Sequence, residues 1–214
     1  MKRGVKITRR IVAALTALLI IGVYIWRVYR VNNSPILTHM AEVVEFSEKC
    51  DVPLPSGYYN RGYLKQDGYY ANVSGSILCR IDELNKLGIT TREEEKAIHA
   101  ATGSEWIIIV SADFHFAGDT DPLEGIIDLS DYKLVGPDYC LDCSIQLNEI
   151  GVFNKFLSGN SAFSIASGKT IHVELPFIVE TNGAHGIAPD YIRTHELKLL
   201  LSRYPVETYV KLTP

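Results

Sequence analysis

Two cysteines at close spacing are the residues of this sequence best suited to chemistry. Cys140 and Cys143 form a Cys-x-x-Cys motif, which in thiol oxidoreductases normally opens a helix after a strand. Here the motif follows residues 136–139, a Gly-Pro-Asp-Tyr sequence typical of a turn, and no βαβ pattern surrounds it. A structural disulfide or free thiols are therefore the favoured interpretation, and thiol-disulfide redox chemistry at Cys140 and Cys143 is the alternative.

The other two cysteines leave the pairing open. With Cys50 and Cys79 the chain has four cysteines, which in an oxidising compartment allow two disulfides in any of three connectivities. A zinc site would need two more ligands at suitable spacing, and Cys50 with Cys79 does not supply them. The sequence therefore makes Cys50, Cys79, Cys140 and Cys143 candidate disulfide or redox residues and predicts no metal or other cofactor.

Acidic residues are dense between Asp113 and Asp131, where six of 19 positions are Asp or Glu. Calcium takes about six to eight oxygen ligands from loops of this kind, which makes Asp119, Asp121 and Glu124 candidate ligands of a calcium-dependent adhesion module. However, the local Asp-Thr-Asp-Pro pattern departs from the EF-hand loop, which needs a third acid or amide and then glycine. A solvated loop between two strands is the favoured interpretation.

Sequence patterns of common enzymes are missing. The six histidines form no His-Glu-x-x-His pair, and no Gly-x-Ser-x-Gly elbow occurs. Residues 167–170, Ser-Gly-Lys-Thr, imitate the end of a phosphate-binding loop, but Phe163 stands where that loop needs glycine, and a strand pattern follows. We therefore predict no catalytic and no cofactor-binding residues and expect a protein that is not an enzyme.

An N-terminal anchor determines where these residues are located. Five basic residues lie within positions 1–10, an uncharged apolar run follows from Ile11 to Trp26, and two more arginines come after it. With its flanking arginines and interfacial aromatic residues this run reaches the ~20 residues that a bilayer requires. A cleaved signal peptide would end in small residues, whereas this run ends in bulky ones. The pattern predicts an uncleaved signal-anchor transmembrane helix over residues 11–31 and a cytoplasmic N-terminus at 1–10.

The rest of the chain has the composition of a globular domain. Residues 32–37 are typical of a short linker, and residues 38–214 are long enough to form one extracytoplasmic domain with its own core. The formal net charge of the whole chain is −4. Because seven basic residues cluster at the anchor, the domain is more acidic than that figure, which argues against a nucleic-acid partner.

Local patterns predict a mainly β domain with one short helix. Thr91 and Glu94 fit a capping box, so a helix is expected from Arg92 until Gly103 ends it. Further along, residues 105–116 are predicted to form a strand with one face that is apolar throughout. The other face changes from apolar at Ile107 and Ile109 to polar at Ser111, Asp113 and His115, which suits a strand that is central in a sandwich at one end and half-exposed at the other. Five other strand candidates are residues 69–82, 126–134, 170–179, 196–202 and 207–212. Because helical crossovers between strands are absent, an antiparallel β-sandwich is expected after the transmembrane helix.

Several short motifs resemble one protein family. Residues 68–73 (Gly-Tyr-Tyr-Ala-Asn-Val), the strand at Trp106, residues 175–177 (Leu-Pro-Phe) and residues 202–205 (Ser-Arg-Tyr-Pro) are similar to DUF5028-type proteins. The resemblance covers about residues 38–212. It implies a membrane-anchored extracellular domain of Gram-positive bacteria with an immunoglobulin-like β-sandwich fold, and it implies no catalytic residues and no assigned function.

Together these features predict a non-enzymatic binding protein at the cell membrane. The protein would be single-pass, with its C-terminal domain outside the cytoplasm and the membrane as its first partner. A protein or a cell-envelope ligand would be the second partner. Recognition is expected at the end loops of the sandwich or at an uncovered sheet edge.

Overall fold

The structure is a computed structural model that divides the chain into two compact units, Met1–Glu42 and Val43–Pro214. It describes residues 21–24, 26–27, 43–58, 63–64, 67–118, 125–157, 159–182, 186–203 and 206–214.

The first unit holds the predicted anchor. Residues 21–24 and 26–27 are helical, and the apolar side chains of Ile21, Val23 and Trp26 are exposed. No helix formed by the described residues is long and apolar enough to cross a membrane. The predicted cytoplasmic segment, the linker and most of the predicted span at 11–31 lie outside the described residues.

The second unit is mainly β, with short helices between some of its strands. The strands are β1 (Val43–Ser47), β2 (Asp51–Leu54), β3 (Gly57–Tyr58), β4 (Tyr63–Leu64), β5 (Tyr69–Arg80), β6 (Trp106–Phe116), β7 (Gly125–Asp128), β8 (Lys133–Val135), β9 (Cys140–Asp142), β10 (Ala162–Phe163), β11 (Thr170–Val179), β12 (Leu197–Ser202) and β13 (Glu207–Leu212). The helices are α1 (Arg92–Thr102), α2 (Ile145–Glu149) and α3 (Pro189–Thr194), with 3-10 turns at Ile81–Glu83, Leu129–Asp131 and Lys155–Leu157.

Within the described residues the strands form one five-stranded and two four-stranded sheets. The five-stranded sheet has the order β1-β13-β12-β8-β9, and the four-stranded sheets have the orders β11-β6-β5-β2 and β10-β7-β4-β3. Side chains of the first two sheets meet in one apolar core, which includes Leu199 and Val210 from one sheet and Phe114 and Val173 from the other. This arrangement is consistent with a β-sandwich.

Strand β6 lies at the centre of its sheet and has a different environment on each face. Phe114 and its neighbours at alternate positions enter the main core, as the sequence predicted. On the opposite face Ile107 and Ile109 join a second, smaller core under α1. Beyond them the same face turns polar, because Ser111 and Asp113 occupy the next alternating positions. The change from apolar to polar along one face confirms the predicted pattern.

Helix α1 also forms as predicted. The Thr91 hydroxyl accepts the Glu94 N–H at 3.2 Å, the Glu94 carboxylate accepts the Thr91 N–H at 2.7 Å, and Gly103 ends the helix with φ 65°. Its fully buried Ile98 packs in the second core and so stabilises the position of the helix.

Three expectations were wrong in detail. The prediction of one short helix missed α2 and α3, which span five and six residues and are too short for a clear 3.6-residue periodicity. The strand expected at 126–134 is two strands, because Asp128 accepts the N–H and hydroxyl of Ser130 at 2.9 and 2.7 Å and starts a 3-10 turn. Finally, the expected antiparallel order fails at one edge, where β1 pairs with β13 in parallel.

Candidate functional site

A groove opens between the five-stranded sheet and the sheet that contains β11, next to the point where β9 and β11 are bridged. The last strand of the five-stranded sheet, β9, meets β11 through a single antiparallel bridge between Cys143 and Phe177. Next to this bridge the Ser144 N–H donates to the Pro176 carbonyl at 2.8 Å. Beyond it the described residues of β9 and β11 form no further pairs, and a groove of about 760 Å³ separates them. This volume is within the range of ~300–1,000 Å³ that is usual for ligand sites.

Four segments line the groove. Residues 138–142 contribute the β8–β9 turn and β9, Ile178 and Glu180 contribute the end of β11, and residues 186–188 lead to Tyr191 on α3. The turn forms because the Gly136 N–H donates to the Tyr139 carbonyl at 3.0 Å and thereby closes the β8–β9 hairpin. These segments are far apart in the chain, and only the sheet arrangement brings them together.

Two tyrosines supply the aromatic surface of the groove. The rings of Tyr139 and Tyr191 lie edge to face, with centroids 6.3 Å apart, and Tyr191 stacks on His195 at 3.9 Å. The Tyr139 hydroxyl is buried and has no hydrogen-bond partner in the described part of the chain. Burial, together with Tyr191 and Asp138, raises the pKa of Tyr139 to about 12. The phenol therefore stays neutral at physiological pH.

Carboxylates supply the charge of the groove. Asp138, Asp142 and Glu180 line it. The Lys133 ammonium neutralises Asp142, whereas no ion pair joins Asp138 or Glu180 to any other described residue. Desolvation, together with the interaction of its hydroxyl with Asp138, raises the pKa of Tyr191. No Lys or Arg is among the described residues that line the groove, so the charge that these residues give it is negative.

A family model described as a domain of unknown function, DUF5028, matches residues 43–208. The chain belongs to the DUF5028 family. The match confirms the family resemblance of the sequence motifs, and it includes every segment that lines the groove. The curated proteins and the solved structures that were searched contain no match to the chain.

The Cys-x-x-Cys motif of this DUF5028 chain lies at the groove, but its two thiols point in different directions. Cys140 is exposed and lines the groove, whereas Cys143 is buried in the main core. Burial raises the pKa of the Cys143 thiol above its usual range. Cys140–Asp142 is a strand, and three extended residues span roughly 10 Å, which exceeds the ~7 Å between Cα atoms that a disulfide can bridge. In this conformation the pair is not arranged for dithiol chemistry.

The other two cysteines are at separate places in the DUF5028 domain. Cys50 is exposed in the turn between β1 and β2. Cys79 is buried in the second core, where burial and, to a smaller degree, Glu83 raise the pKa of its thiol to about 11. All four cysteines have free thiols in the structure.

The candidate calcium ligands Asp119, Asp121 and Glu124 lie outside the described residues, so calcium binding there stays the alternative to the favoured solvated loop. Two other members of the acidic segment have partners elsewhere. Asp113 contacts His172, and Asp128 accepts hydrogen bonds from Ser130. Among the described residues no group of three or more His, Cys, Asp or Glu side chains is placed to hold a metal ion.

A polar cluster on the outer face of β6 and β11 was not predicted. His172 Nδ1 lies 2.7 Å from Asp113 Oδ1, and His172 Nε2 lies 3.2 Å from Glu174 Oε1. Ser111 donates to the other Glu174 oxygen at 2.8 Å, so the serine hydroxyl contacts a carboxylate and not the imidazole. Desolvation lowers the pKa of His172, but the hydrogen bonds to Asp113 and Glu174 outweigh it, and the net pKa is raised. The cluster cross-links two strands and lacks the serine–histidine contact of a nucleophilic triad.

Sequence reasoning also missed both tyrosines of the groove. The only available signals were indirect: Tyr139 ends a Gly-Pro-Asp turn, and Tyr191 follows Pro189 at the first position of α3. Neither signal indicates that the two rings meet.

Proposed function

We propose that this DUF5028 protein is a single-pass membrane protein whose β domain lies outside the cytoplasm and binds a protein or cell-envelope ligand in the groove. The observation that carries the proposal is the groove itself. It is open, it combines two tyrosines with carboxylates that have no cationic partner among the described residues, and one buried phenol hydroxyl has no hydrogen-bond partner there. A few fixed polar groups in an aromatic concavity are the usual form of a binding site.

The anchor is the second part of the proposal. Basic residues precede the apolar run, and the apolar side chains of its described helical residues, such as Val23 and Trp26, are exposed. Exposure of an apolar helix surface to water is unfavourable, and a lipid bilayer, with Trp at its interface, would bury that surface. The positive-inside rule then favours the outside for the domain.

We also infer that the domain has an immunoglobulin-like sandwich arrangement. The sheet of β11, β6, β5 and β2 and the sheet that contains β12 and β13 share one core, as the two sheets of such a sandwich do. In this arrangement the groove lies at an opening between the two sheets, beside the loops that sandwich proteins use for recognition.

Two exposed cysteines provide a test without knowledge of the ligand. Cys140 lines the groove, and Cys50 lies outside it, so their labelling by a membrane-impermeant maleimide can be compared by peptide mass spectrometry. Intact Gram-positive cells that express the full chain are labelled first, and the purified full chain in detergent micelles is labelled in parallel. We expect both cysteines to react in intact cells, with Cys140 slowed relative to Cys50 because ligand occupies the groove. The Tyr191→Ala variant should restore the Cys140 rate.

Each part of the proposal has its own refuting result. If neither cysteine reacts until the cells are permeabilised, the domain is not outside the cytoplasm. If the ratio of the Cys140 rate to the Cys50 rate is the same in cells and in micelles, the groove is not a ligand site.

A further inference from the structure

Resting on the proposed function, we infer that the ligand of the groove is an extended peptide segment that carries Lys or Arg side chains. Charge complementarity is the first argument. Asp138 and Glu180 line the groove without a cationic partner in the described part of the chain, and none of the lining residues described there is basic. The net charge of the rest of the domain is also negative. Seven of the 21 basic residues and none of the 25 acidic residues precede Thr38, so 14 basic and 25 acidic residues remain, a formal charge of −11. A cationic ligand is therefore attracted over long range as well as at contact.

The aromatic rings are the second argument. Tyr139 and Tyr191 line the groove together with Asp138, and their rings lie edge to face with centroids 6.3 Å apart. An ammonium or guanidinium group gains from a ring face and from a carboxylate together, and the cation–π part strengthens as the group is desolvated. An anionic ligand would gain from neither group.

The backbone edges indicate an extended chain and show where it fits. Three residues on the outer edge of β11 already have partners, because the Asn154 carboxamide contacts the N–H and C=O of Glu174, and the carbonyls of Pro176 and Glu180 accept the N–H groups of Ser144 and Ile187. These bonds leave only a short stretch of the β11 edge, at Ile178, beside the groove.

The edge of β9 is different. The Cys143 N–H donates to the Tyr132 carbonyl, and the Gly136 N–H donates to the Tyr139 carbonyl, both on the β8 side of the hairpin. Because bonded and non-bonded pairs alternate in an antiparallel ladder, the N–H and C=O of Cys140 point away from β8, towards the groove. An extended peptide can pair with these groups, and its side chains at every second position then lie on the carboxylate side.

The test uses defined peptides and the full chain in micelles of an uncharged detergent. The probe is a peptide blocked at both ends, Ser-Lys-Ser-Lys-Ser, which places both lysines on one side of an extended chain. The first control is the same peptide with both lysines Nε-acetylated, and the second is lysine amide, which carries the cation without the chain. The readout is the maleimide rate of Cys140 divided by that of Cys50.

We expect the lysine peptide to slow Cys140 selectively, and the acetylated peptide and lysine amide to leave the ratio unchanged at equal concentration. Glu180→Gln should raise the half-protecting peptide concentration about fivefold, as the loss of one partly screened charge contact predicts. The matched control is Glu149→Gln, which removes an equal charge from an exposed site outside the groove and should have no effect.

Four results would overturn the inference. Equal protection by the acetylated peptide would show that the cation is not recognised, and equal protection by lysine amide would show that no extended chain is needed. An equal effect of Glu149→Gln and Glu180→Gln would show attraction by the domain as a whole. If no peptide protects Cys140 although the cell experiment shows the groove occupied, the ligand has another chemistry and the proposed function stands. If the cell experiment also shows no occupancy, both fail.

Discussion

Replacing Asn154 with alanine tests how the edge of β11 is closed. The Asn154 side chain is buried and makes three hydrogen bonds: its Nδ2 donates to the Glu174 carbonyl at 2.7 Å and to Asn148 Oδ1 at 2.9 Å, and its Oδ1 accepts the Glu174 N–H at 2.9 Å. One carboxamide thus takes the place of a neighbouring strand residue. Asn154→Ala removes all three bonds and leaves both main-chain groups of Glu174 without these partners.

The expected loss follows from these contacts. A typical internal hydrogen bond contributes ~1 kcal/mol net, and an unsatisfied buried group costs ~1–3 kcal/mol. Three bonds therefore predict a fall of about 3 kcal/mol in the free energy of unfolding, which is a large part of the ~5–15 kcal/mol of an ordinary domain. With a urea m-value of ~2 kcal/mol/M, the unfolding midpoint should fall by about 1.5 M.

The assay is urea unfolding of the full chain in micelles, followed by far-UV circular dichroism. Asn160→Ala is the matched control, because Asn160 is exposed and its only described bond is a backbone one from its N–H to the Leu157 carbonyl. It should change stability by less than ~0.5 kcal/mol. If Asn154→Ala loses no more than Asn160→Ala, then water or a chain shift satisfies Glu174, and the carboxamide does not hold this edge.

Four more predictions follow from the same structure. Ile98→Ala should lower the free energy of unfolding by about 2–5 kcal/mol in the same urea assay, because it empties part of the second core under α1. His172→Gln should lower the urea midpoint at acidic pH and progressively less at higher pH. The raised pKa means that the charged ring stabilises the fold below its unfolded pKa of ~6.5, and that this contribution is lost as pH rises through the folded pKa. Gly186→Ala should reshape the groove and abolish peptide protection of the Cys140 thiol, because a Cβ would lie 2.6 Å from the Thr181 carbonyl oxygen; unchanged protection would refute this. Finally, thiol titration should find two fast thiols in the native chain and four in urea, and early reaction of Cys143 would contradict its burial.

Long elements with their own local signals could be predicted from the sequence. Strand β6 could be predicted because one of its faces is apolar along all eleven residues, and α1 because Thr91, Glu94 and Gly103 mark both of its ends. Helices α2 and α3 were missed because five or six residues cannot establish a helical period. The parallel β1–β13 pair was missed for a different reason. Its two strands come from the beginning and the end of the domain sequence, and no local sequence pattern specifies which distant strand pairs with a given strand.

The candidate site was the least predictable part. The turn before Cys140 was expected and is present, but the wall that faces it comes from Glu180 and Tyr191, some 40–50 residues later in the chain. Their meeting depends on the register between β9 and β11, which a single bridge at Cys143 determines. Residue types at one position carry no information about that register. The sequence therefore indicated the Cys-x-x-Cys motif as a candidate site and did not indicate the two tyrosines.

The partly bonded edge of β11 lies beside the groove. An unpaired strand edge invites unwanted strands, and proteins usually protect it. Here a carboxamide at Asn154 and two main-chain N–H groups, of Ser144 and Ile187, bond part of the β11 edge without a neighbouring strand. Beyond the bridge at Cys143 the described residues of β9 and β11 do not pair, and the groove separates the two strands. The bonds at Glu174, Pro176 and Glu180 therefore leave only short stretches of edge for an added strand, at Cys140 and at Ile178, beside the carboxylates and the tyrosines. A partner that docks there must satisfy a backbone edge and a negative charge together, and this double requirement would exclude most neutral or acidic chains.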